Sequence, residues 1–180
     1  REAYGLDERL APLPFGLGLD EYRRLLREAI VGDEDPEQVV LTEIDPEAQK
    51  TRHDFRVTEE WFGVRTVDIR ALRRDGRRLV YEREGRQVPV RRIYNRAIVD
   101  ELERKGIELQ FDWRDDLNVQ WAGHPNWFFL LSKFSLPYLH HAAAPETVFL
   151  DRAGEVERPE EWVLKPLWSF AGLGVVVGPS

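Results

Sequence analysis

The chain has 180 residues, a size that suits one large domain or one domain and part of another. Hydrophobic residues make up 42% and aromatic residues 11%, so a packed core is expected rather than disorder. The net charge of −7 argues against a general nucleic-acid binder, and the lack of cysteine excludes disulfides and thiolate chemistry. There is no apolar stretch of membrane-spanning length and no visible signal peptide, so we expect a cytoplasmic protein without membrane partners.

A strand, a helix and a second strand follow one another in the first half of the chain. Val39–Ile44 is an apolar run with β-branched residues, which predicts a buried strand. Pro46 suits the first position of the next helix, and Gly63 suits its end. Thr66–Ile69 predicts the second strand. Because such a β-α-β unit builds parallel sheets, we expect an α/β domain with a Rossmann-like sheet over residues 20–123.

Other elements surround this unit. Residues 1–19 are rich in Pro and Gly and predict an irregular arm, and Asp20 is the expected cap of a helix that extends to Ile30. Further along, the patterns predict a hairpin of Leu79–Tyr81 and Gln87–Val90 around Gly85, a strand at Arg92–Asn95, a helix at Ala97–Lys105 ended by Gly106, and a strand or loop at Ile107–Phe111.

A second unit is expected over residues 124–180. A mostly apolar segment within His124–Lys133 predicts a buried helix, and Thr147–Leu150 predicts a strand. Trp162–Lys165 and Val175–Val177 predict the two strands of a hairpin that encloses a glycine-rich loop.

The glycine-rich hairpin is the most informative segment. Lys165 ends the first strand, and Ser169, Gly172 and Gly174 follow before three valines. Glycines allow close backbone approach to phosphate oxygens, and a lysine supplies a positive charge. The residue order excludes a P-loop, and the strand that follows excludes the dinucleotide fingerprint. Taken alone, the segment is equally typical of an ordinary hairpin with a surface lysine.

An ordered series of motifs distinguishes these alternatives. Lys133, then Pro145-Glu-Thr147, then Lys165-Pro166 resembles the ATP-grasp superfamily, and within it ligases similar to glutathione synthetase or glutathionylspermidine synthase. The resemblance implies that Lys133 and Lys165 contact the phosphates of ATP, and that the loop with Ser169, Gly172 and Gly174 folds over them. The competing interpretation of Lys133 is a lysine that satisfies carbonyls at a helix end.

The resemblance also implies a fold and a reaction. Residues 20–123 would be the pre-ATP-grasp domain, and residues 124–180 the truncated start of an ATP-grasp α+β domain. ATP would phosphorylate a carboxylate substrate, and an amine would attack the acyl phosphate to form a C–N bond. In the family the Mg²⁺ ligands lie downstream of the glycine loop. We therefore expect them beyond Ser180, with none in this chain, and expect these 180 residues alone to be inactive.

Polar residues at the carboxyl ends of the predicted strands are candidates for substrate binding. Asp45, Asn95 and Arg96 occupy such positions, as does Glu43, and an arginine there can hold a carboxylate by two parallel bonds. The structural interpretation is the stronger one for these residues: a helix cap for Asp45, and structural hydrogen bonding for Asn95 and Arg96. The alternative function is a non-catalytic α/β binding or assembly module whose glycine-rich hairpin packs against a partner.

Overall fold

The computed structural model describes residue 13 and residues 16–152, 156–169 and 172–179. Most of the arm predicted over residues 1–19 therefore lies outside the described residues. The chain divides into two compact units, Arg1–Pro125 and Asn126–Ser180. In the described part, no helix combines the length and the apolar character that crossing a membrane requires.

The first unit alternates helices with strands. In chain order its elements are α1 Leu19–Ile30, β1 Val39–Glu43, α2 Arg52–Phe62, β2 Arg65–Asp68, β3 Arg73–Asp75, β4 Arg78–Arg83, β5 Arg86–Val90, β6 Arg92–Asn95, α3 Val99–Arg104 and β7 Gln120–Ala122. The class is therefore α/β, with a parallel sheet and a separate antiparallel one. Neither β3 nor β7 was expected from the sequence.

A four-stranded parallel sheet in the order β2-β1-β6-β7 forms the centre of this unit. All five residues of β1 are buried, as its apolar run predicts. One core cluster includes Ile30, Val39 and Phe62, and brings α1 and α2 against the sheet. The larger cluster joins Val40 and Ile93 of the sheet to side chains of β4 and β5. The sheet is thus covered on both faces.

The predicted hairpin is confirmed as β4 and β5, which pair antiparallel around a two-residue turn. Glu84 and Gly85 both have positive φ, at 50° and 75°, as the tight turns of two-residue hairpins require. β3 adds a third strand to this sheet but pairs only with Arg78–Val80. Among the residues that the structure describes, the remaining part of β4, from Tyr81 to Arg83, therefore has a strand partner on one side only.

Two helices of the first unit begin elsewhere than predicted. The carbonyl of Gly18 accepts the first helical hydrogen bond of α1, so Asp20 lies in the first turn and the prediction of an Asp20 cap is wrong. The prediction that Pro46 starts a long helix is also wrong. Asp45 has a left-handed backbone with φ 48°, and only one 3₁₀ turn follows before α2 begins at Arg52.

The predicted ends of the helices, which were placed at glycines, agree with the structure better than the predicted starts. Gly63 ends α2 with φ 72°, as predicted. α3 is shorter than the predicted Ala97–Lys105 because Ile98 is still extended, and Gly106 follows with φ 61°. Ile107–Phe111 is a loop, which is one of the two expected alternatives.

The second unit has little regular structure among its described residues. Its elements are the one-turn helix α4 Trp127–Leu130, several 3₁₀ turns, and the two-residue strands β8 Val163–Leu164 and β9 Val176–Val177. β8 and β9 pair antiparallel, so the hairpin around the glycine loop is confirmed. Residues 170–171 of that loop lie outside the described residues.

Two predictions for the second unit are wrong. The apolar segment after His124 forms one exposed turn rather than a buried helix, with Phe129 56% and Leu130 69% exposed. Thr147–Leu150 is not a strand, because residues 147–149 pair with no described strand and a 3₁₀ turn begins at Leu150.

The burial of β1 predicts that two leucine-to-alanine substitutions differ greatly in their effect on the free energy of unfolding. Leu41→Ala removes a fully buried side chain from β1, and we expect it to lower the free energy of unfolding by about 2–5 kcal/mol. Leu25→Ala, on the exposed side of α1, is the matched control and should change it by about 1 kcal/mol or less. Equilibrium unfolding in urea measures both. Equal losses would contradict the assignment of β1 to the interior.

Candidate functional site

The carboxyl ends of β1 and β6 mark the point where the strand order of the parallel sheet reverses. From β1 the chain passes to β2 on one side and later to β6 on the other, so the connections after β1 and β6 diverge. Ligands of open parallel sheets bind in the crevice at such a point. Thr42 Oγ1 donates to Asn95 Oδ1 at 3.1 Å, and the Arg96 N–H donates to the Thr42 carbonyl at 2.8 Å. Asp45, Asn95 and Arg96 are thus brought to the same edge.

Glu43 adds a buried carboxyl group to this edge. Its Oε1 accepts a hydrogen bond from the Ile44 N–H at 2.8 Å. Burial raises the pKa of Glu43, although that hydrogen bond and the positive charges of Arg96 and Lys105 act in the opposite direction. A carboxyl group with a raised pKa at the end of a parallel strand can hold or release a proton closer to neutral pH.

Asp45 belongs to an ion-pair network and does not act as a helix cap. Its side chain makes no capping hydrogen bond; its carboxylate accepts from Arg70, and Lys105 Nζ lies 3.4 Å from Oδ2. Arg70 also donates to both oxygens of Asp68, at 2.8 and 2.6 Å. Burial raises the pKa of Asp68, but the hydrogen bonds from Arg70 outweigh it and lower the pKa overall.

The network contains residues that the sequence interpretation missed. Asp68 ends β2 just as Glu43 ends β1, so the same strand-end argument could have identified it. No sequence signal identifies Arg70, because its role depends on the left-handed turn at Asp45 that brings the two carboxylates together.

The side chains of Asn95 and Arg96 differ in how far other residues of the protein already bind them. Asn95 Nδ2 donates to the Ala97 carbonyl at 3.0 Å, which agrees with a structural role. The guanidinium of Arg96 lies 5.6 Å from the centre of the Phe55 ring and 3.4 Å from Tyr94 Oη. Within the described ranges it forms no ion pair with a carboxylate, so it can still bind an anionic group.

In the second unit, the structure brings Lys133 to Ser169, 36 positions further along the chain. Lys133 begins a 3₁₀ stretch that ends at Tyr138, and its Nζ donates to Ser169 Oγ at 2.7 Å and to the Ser169 carbonyl at 2.5 Å. Lys165 follows β8 and is exposed. Neither lysine pairs with a carboxylate among the described residues.

Aromatic contacts hold the segment between Lys165 and Ser169 in place. The Trp168 ring is stacked on Phe134, with centroids 5.4 Å apart and an interplanar angle of 20°. Phe128 and Phe129 contact Trp168 edge-on at 5.7 and 5.2 Å. Such pairs contribute about 0.5–1.5 kcal/mol each beyond their buried area. Trp168 therefore anchors the loop beside Lys133, a role that the sequence did not suggest.

Gly172 and Gly174 are required in the loop for different reasons. Gly172 and Gly174 have φ of 79° and 69°, which favour glycine. A Cβ at Gly174 would lie 2.8 Å from Pro166 Cγ, whereas one at Gly172 would meet no atom of the described residues within 4 Å. Gly174 is thus required for close packing against Pro166, and Gly172 only for its backbone conformation.

No protein-family model and no curated protein sequence matches this chain. Evidence about function therefore comes from the geometry and from the motif resemblance. Over the part of the chain that the structure describes, no group of three or more His, Asp or Glu side chains could hold a metal ion.

The buried carboxyl group predicts a pH-dependent effect. Glu43→Gln keeps an oxygen to accept from the Ile44 N–H but removes the charge. Because the folded-state pKa is raised above the ordinary 4.5, the contribution of Glu43 to stability is complete below 4.5 and is lost as pH rises through the folded pKa. In urea unfolding, the variant should gain stability relative to the native chain as pH rises above about 4.5.

The control for this experiment is Glu108→Gln, because Glu108 is exposed. Its stability should stay parallel to that of the native chain across the same pH range. If both variants follow the same pH course, Glu43 is not the buried titrating group.

Replacing the two loop glycines by alanine should destabilise the hairpin to different degrees. Gly172→Ala should cost about 1–2 kcal/mol of local stability from left-handed backbone strain alone. Gly174→Ala adds the clash with Pro166 and should open the hairpin further. Hydrogen exchange at the amides of Val163–Leu164 and Val176–Val177 measures this, with the order native, Gly172→Ala, Gly174→Ala from slowest to fastest. Identical exchange in both variants would rule out the packing of Gly174 on Pro166.

Proposed function

We propose that this chain is part of an ATP-dependent ligase of the ATP-grasp type, which forms a C–N bond through an acyl-phosphate intermediate. One observation carries the proposal: Lys133 Nζ lies within hydrogen-bond distance of Ser169 in the glycine loop. The resemblance assigns both segments to the phosphates of ATP, and they are 36 residues apart in the sequence. Their contact supports a common role.

The chemistry of the second unit fits a polyphosphate. Lys133 and Lys165 carry positive charges that no described carboxylate neutralises, and the loop with Gly172 and Gly174 can present backbone N–H groups. Phosphoryl transfer needs mainly positioning and charge neutralisation. The residues of this chain would bind and orient the phosphates, with Lys133 transferring its hydrogen bonds from Ser169 to phosphate oxygens. Mg²⁺, when bound, would neutralise further charge; the described residues offer no ligand set for it.

The first unit would act on the acceptor side. We propose that its parallel sheet is a Rossmann-like pre-ATP-grasp domain over residues 20–123, and that residues 124–180 begin the ATP-grasp domain. Arg96 would bind the carboxylate of the substrate, since its guanidinium lacks an ion-pair partner in the described part. Asp45 and Asn95 would supply polar contacts at the same edge, and a second substrate would bring the amine.

A second candidate function is a non-catalytic binding or assembly module. It is favoured by the apolar residues that the glycine-rich hairpin exposes, such as Leu173 at 68% and Val177 at 77%. Exposed apolar patches are typical of surfaces that pack against a partner. This function would need no nucleotide.

Titration with Mg-ATP, followed by isothermal titration calorimetry, separates the two candidates. Lys165 is exposed and its side chain makes no hydrogen bond or ion pair among the described residues, so Lys165→Gln should leave the fold unchanged. Loss of one charge-assisted phosphate contact, about 1.5–3 kcal/mol, should weaken binding tenfold or more. Lys50→Gln, an exposed lysine of the first unit, is the matched control and should bind as the native chain does.

Lys133→Gln should weaken binding as well, but it also removes the contacts with Ser169, so its thermal unfolding has to be measured alongside. If the native chain does not bind Mg-ATP, or binds it equally well after Lys165→Gln, the ligase proposal fails. Concentration-dependent self-association or partner binding without any nucleotide effect would then favour the binding module.

A further inference from the structure

Glu43 and Arg96 occupy neighbouring positions at the carboxyl edge of the parallel sheet. Thr42 of β1 is the register partner of Asn95 of β6, and the two charged residues come directly after this pair. The Arg96 N–H donates to the Thr42 carbonyl at 2.8 Å, so the pairing extends to this point. Because neighbouring strands lie about 4.8 Å apart, a small molecule is long enough to contact both residues.

Both side chains lie on the face of the sheet that α2 covers. Side chains alternate along a strand, so Glu43 shares its face with Val39, which packs in one core cluster with Phe62 of α2. The guanidinium of Arg96 lies 5.6 Å from the centre of the Phe55 ring, which also belongs to α2. Arg96 interacts electrostatically with the Glu43 carboxyl group, and this agrees with a common location.

Neither charge has an ionic partner in the described part of the chain. The Glu43 side chain accepts one hydrogen bond, from the Ile44 N–H to Oε1 at 2.8 Å, and its Oε2 accepts none from a described residue. Glu43 is only 7% exposed, and native proteins seldom bury a carboxylate without pairing it. Two opposite charges at neighbouring positions that do not pair with each other indicate a partner that carries both signs.

Lys105 is the other cation near Glu43, and it is already bound. Its Nζ lies 2.8 Å from Glu101 Oε1 and 3.4 Å from Asp45 Oδ2. Those two carboxylates offset the charge of Lys105. We therefore expect the cationic partner of Glu43 to be a group from outside the described residues.

We propose that this edge of the sheet binds a small amino acid, with Glu43 accepting hydrogen bonds from its ammonium group and Arg96 donating to its carboxylate. A guanidinium matches the planar edge of a carboxylate, and a carboxylate forms strong hydrogen bonds with an ammonium group. An α-amino acid carries these two charges on adjacent carbon atoms, so one small molecule meets both side chains. A simple anion or a simple amine would leave one of them unpaired.

This inference deepens the proposed function and rests on it in one respect, namely that Arg96 holds the carboxylate of a substrate. It adds that the substrate carries an amino group next to that carboxylate. The binding itself needs no nucleotide and uses residues of the first unit, whereas the Mg-ATP titration tests lysines of the second. Failure of one measurement therefore does not imply failure of the other.

Three small probes test the recognition of both charges. Glycine carries the ammonium and the carboxylate, whereas acetate and methylamine each carry one of them and are smaller, so a steric clash cannot explain weaker binding. Binding is followed without ATP through the NMR signals of the Glu43 carboxyl carbon and the Arg96 Nε–H. We expect glycine to shift both signals saturably and to lower the pKa of Glu43, because a bound ammonium favours the ionised carboxylate. Acetate and methylamine should bind at least tenfold more weakly.

Variants of the two residues locate the binding. Glu43→Gln keeps an oxygen for the backbone hydrogen bond but removes the charge, so it should fold normally and weaken glycine binding at least tenfold. Arg96→Gln should weaken it to a similar extent, with thermal unfolding as a check because the contact with Tyr94 is also lost. Glu108→Gln and Arg91→Gln remove the same charges from exposed positions and should bind glycine as the native chain does.

The opposite results would overturn the proposal. Equal binding of acetate and glycine would mean that Glu43 does not recognise an ammonium group. Unchanged affinity in both Glu43→Gln and Arg96→Gln would place the bound glycine elsewhere. No saturable shift at either signal up to the solubility limit of glycine would mean that ordered water satisfies the two charges.

Discussion

The first unit depends on the complete burial of β1, Val39–Glu43. A buried strand has no water to satisfy its backbone N–H and C=O groups, so it needs strands on both sides. β2 and β6 supply these partners, and both run parallel to β1. Parallel pairing brings the three carboxyl ends to one edge, and this is why Glu43, Asp68 and Asn95 are neighbours in the fold although they are distant in the sequence.

The same constraint places polar groups at this edge, and two of these residues are in unfavourable states there. Glu43 is buried with a raised pKa, and Asp45 adopts a left-handed backbone that non-glycine residues rarely take. Strain and buried charge of this kind are common at functional edges, where surrounding contacts hold them in place. Here the Ile44 N–H donates to the Glu43 carboxylate, and the Asp45 N–H donates to the carboxylate of Asp68.

The sequence predicted the first unit better than the second for a physical reason. The runs at Val39–Ile44 and Arg92–Asn95 form strands because a sheet buries them, and Gly63 ends a helix through its own backbone. The apolar segment after His124 and Thr147–Leu150 have the same local patterns, but no described sheet buries them. Contacts such as that of Phe129 with Trp168 leave much of the apolar surface exposed. The proximity of Lys133 to the glycine loop could not be read from local patterns, and the contacts of Arg70 with Asp45 and Asp68 likewise depend on tertiary placement.

Arg70 links the ends of two neighbouring strands. Its guanidinium binds Asp68 at the end of β2 and Asp45 in the turn after β1. One cation therefore neutralises two carboxylates, and a group that neutralised Asp45 would leave Arg70 to Asp68 alone. The turn after β1 and the end of β2 are in this way electrostatically connected, although 23 positions separate Asp45 from Asp68 in the sequence.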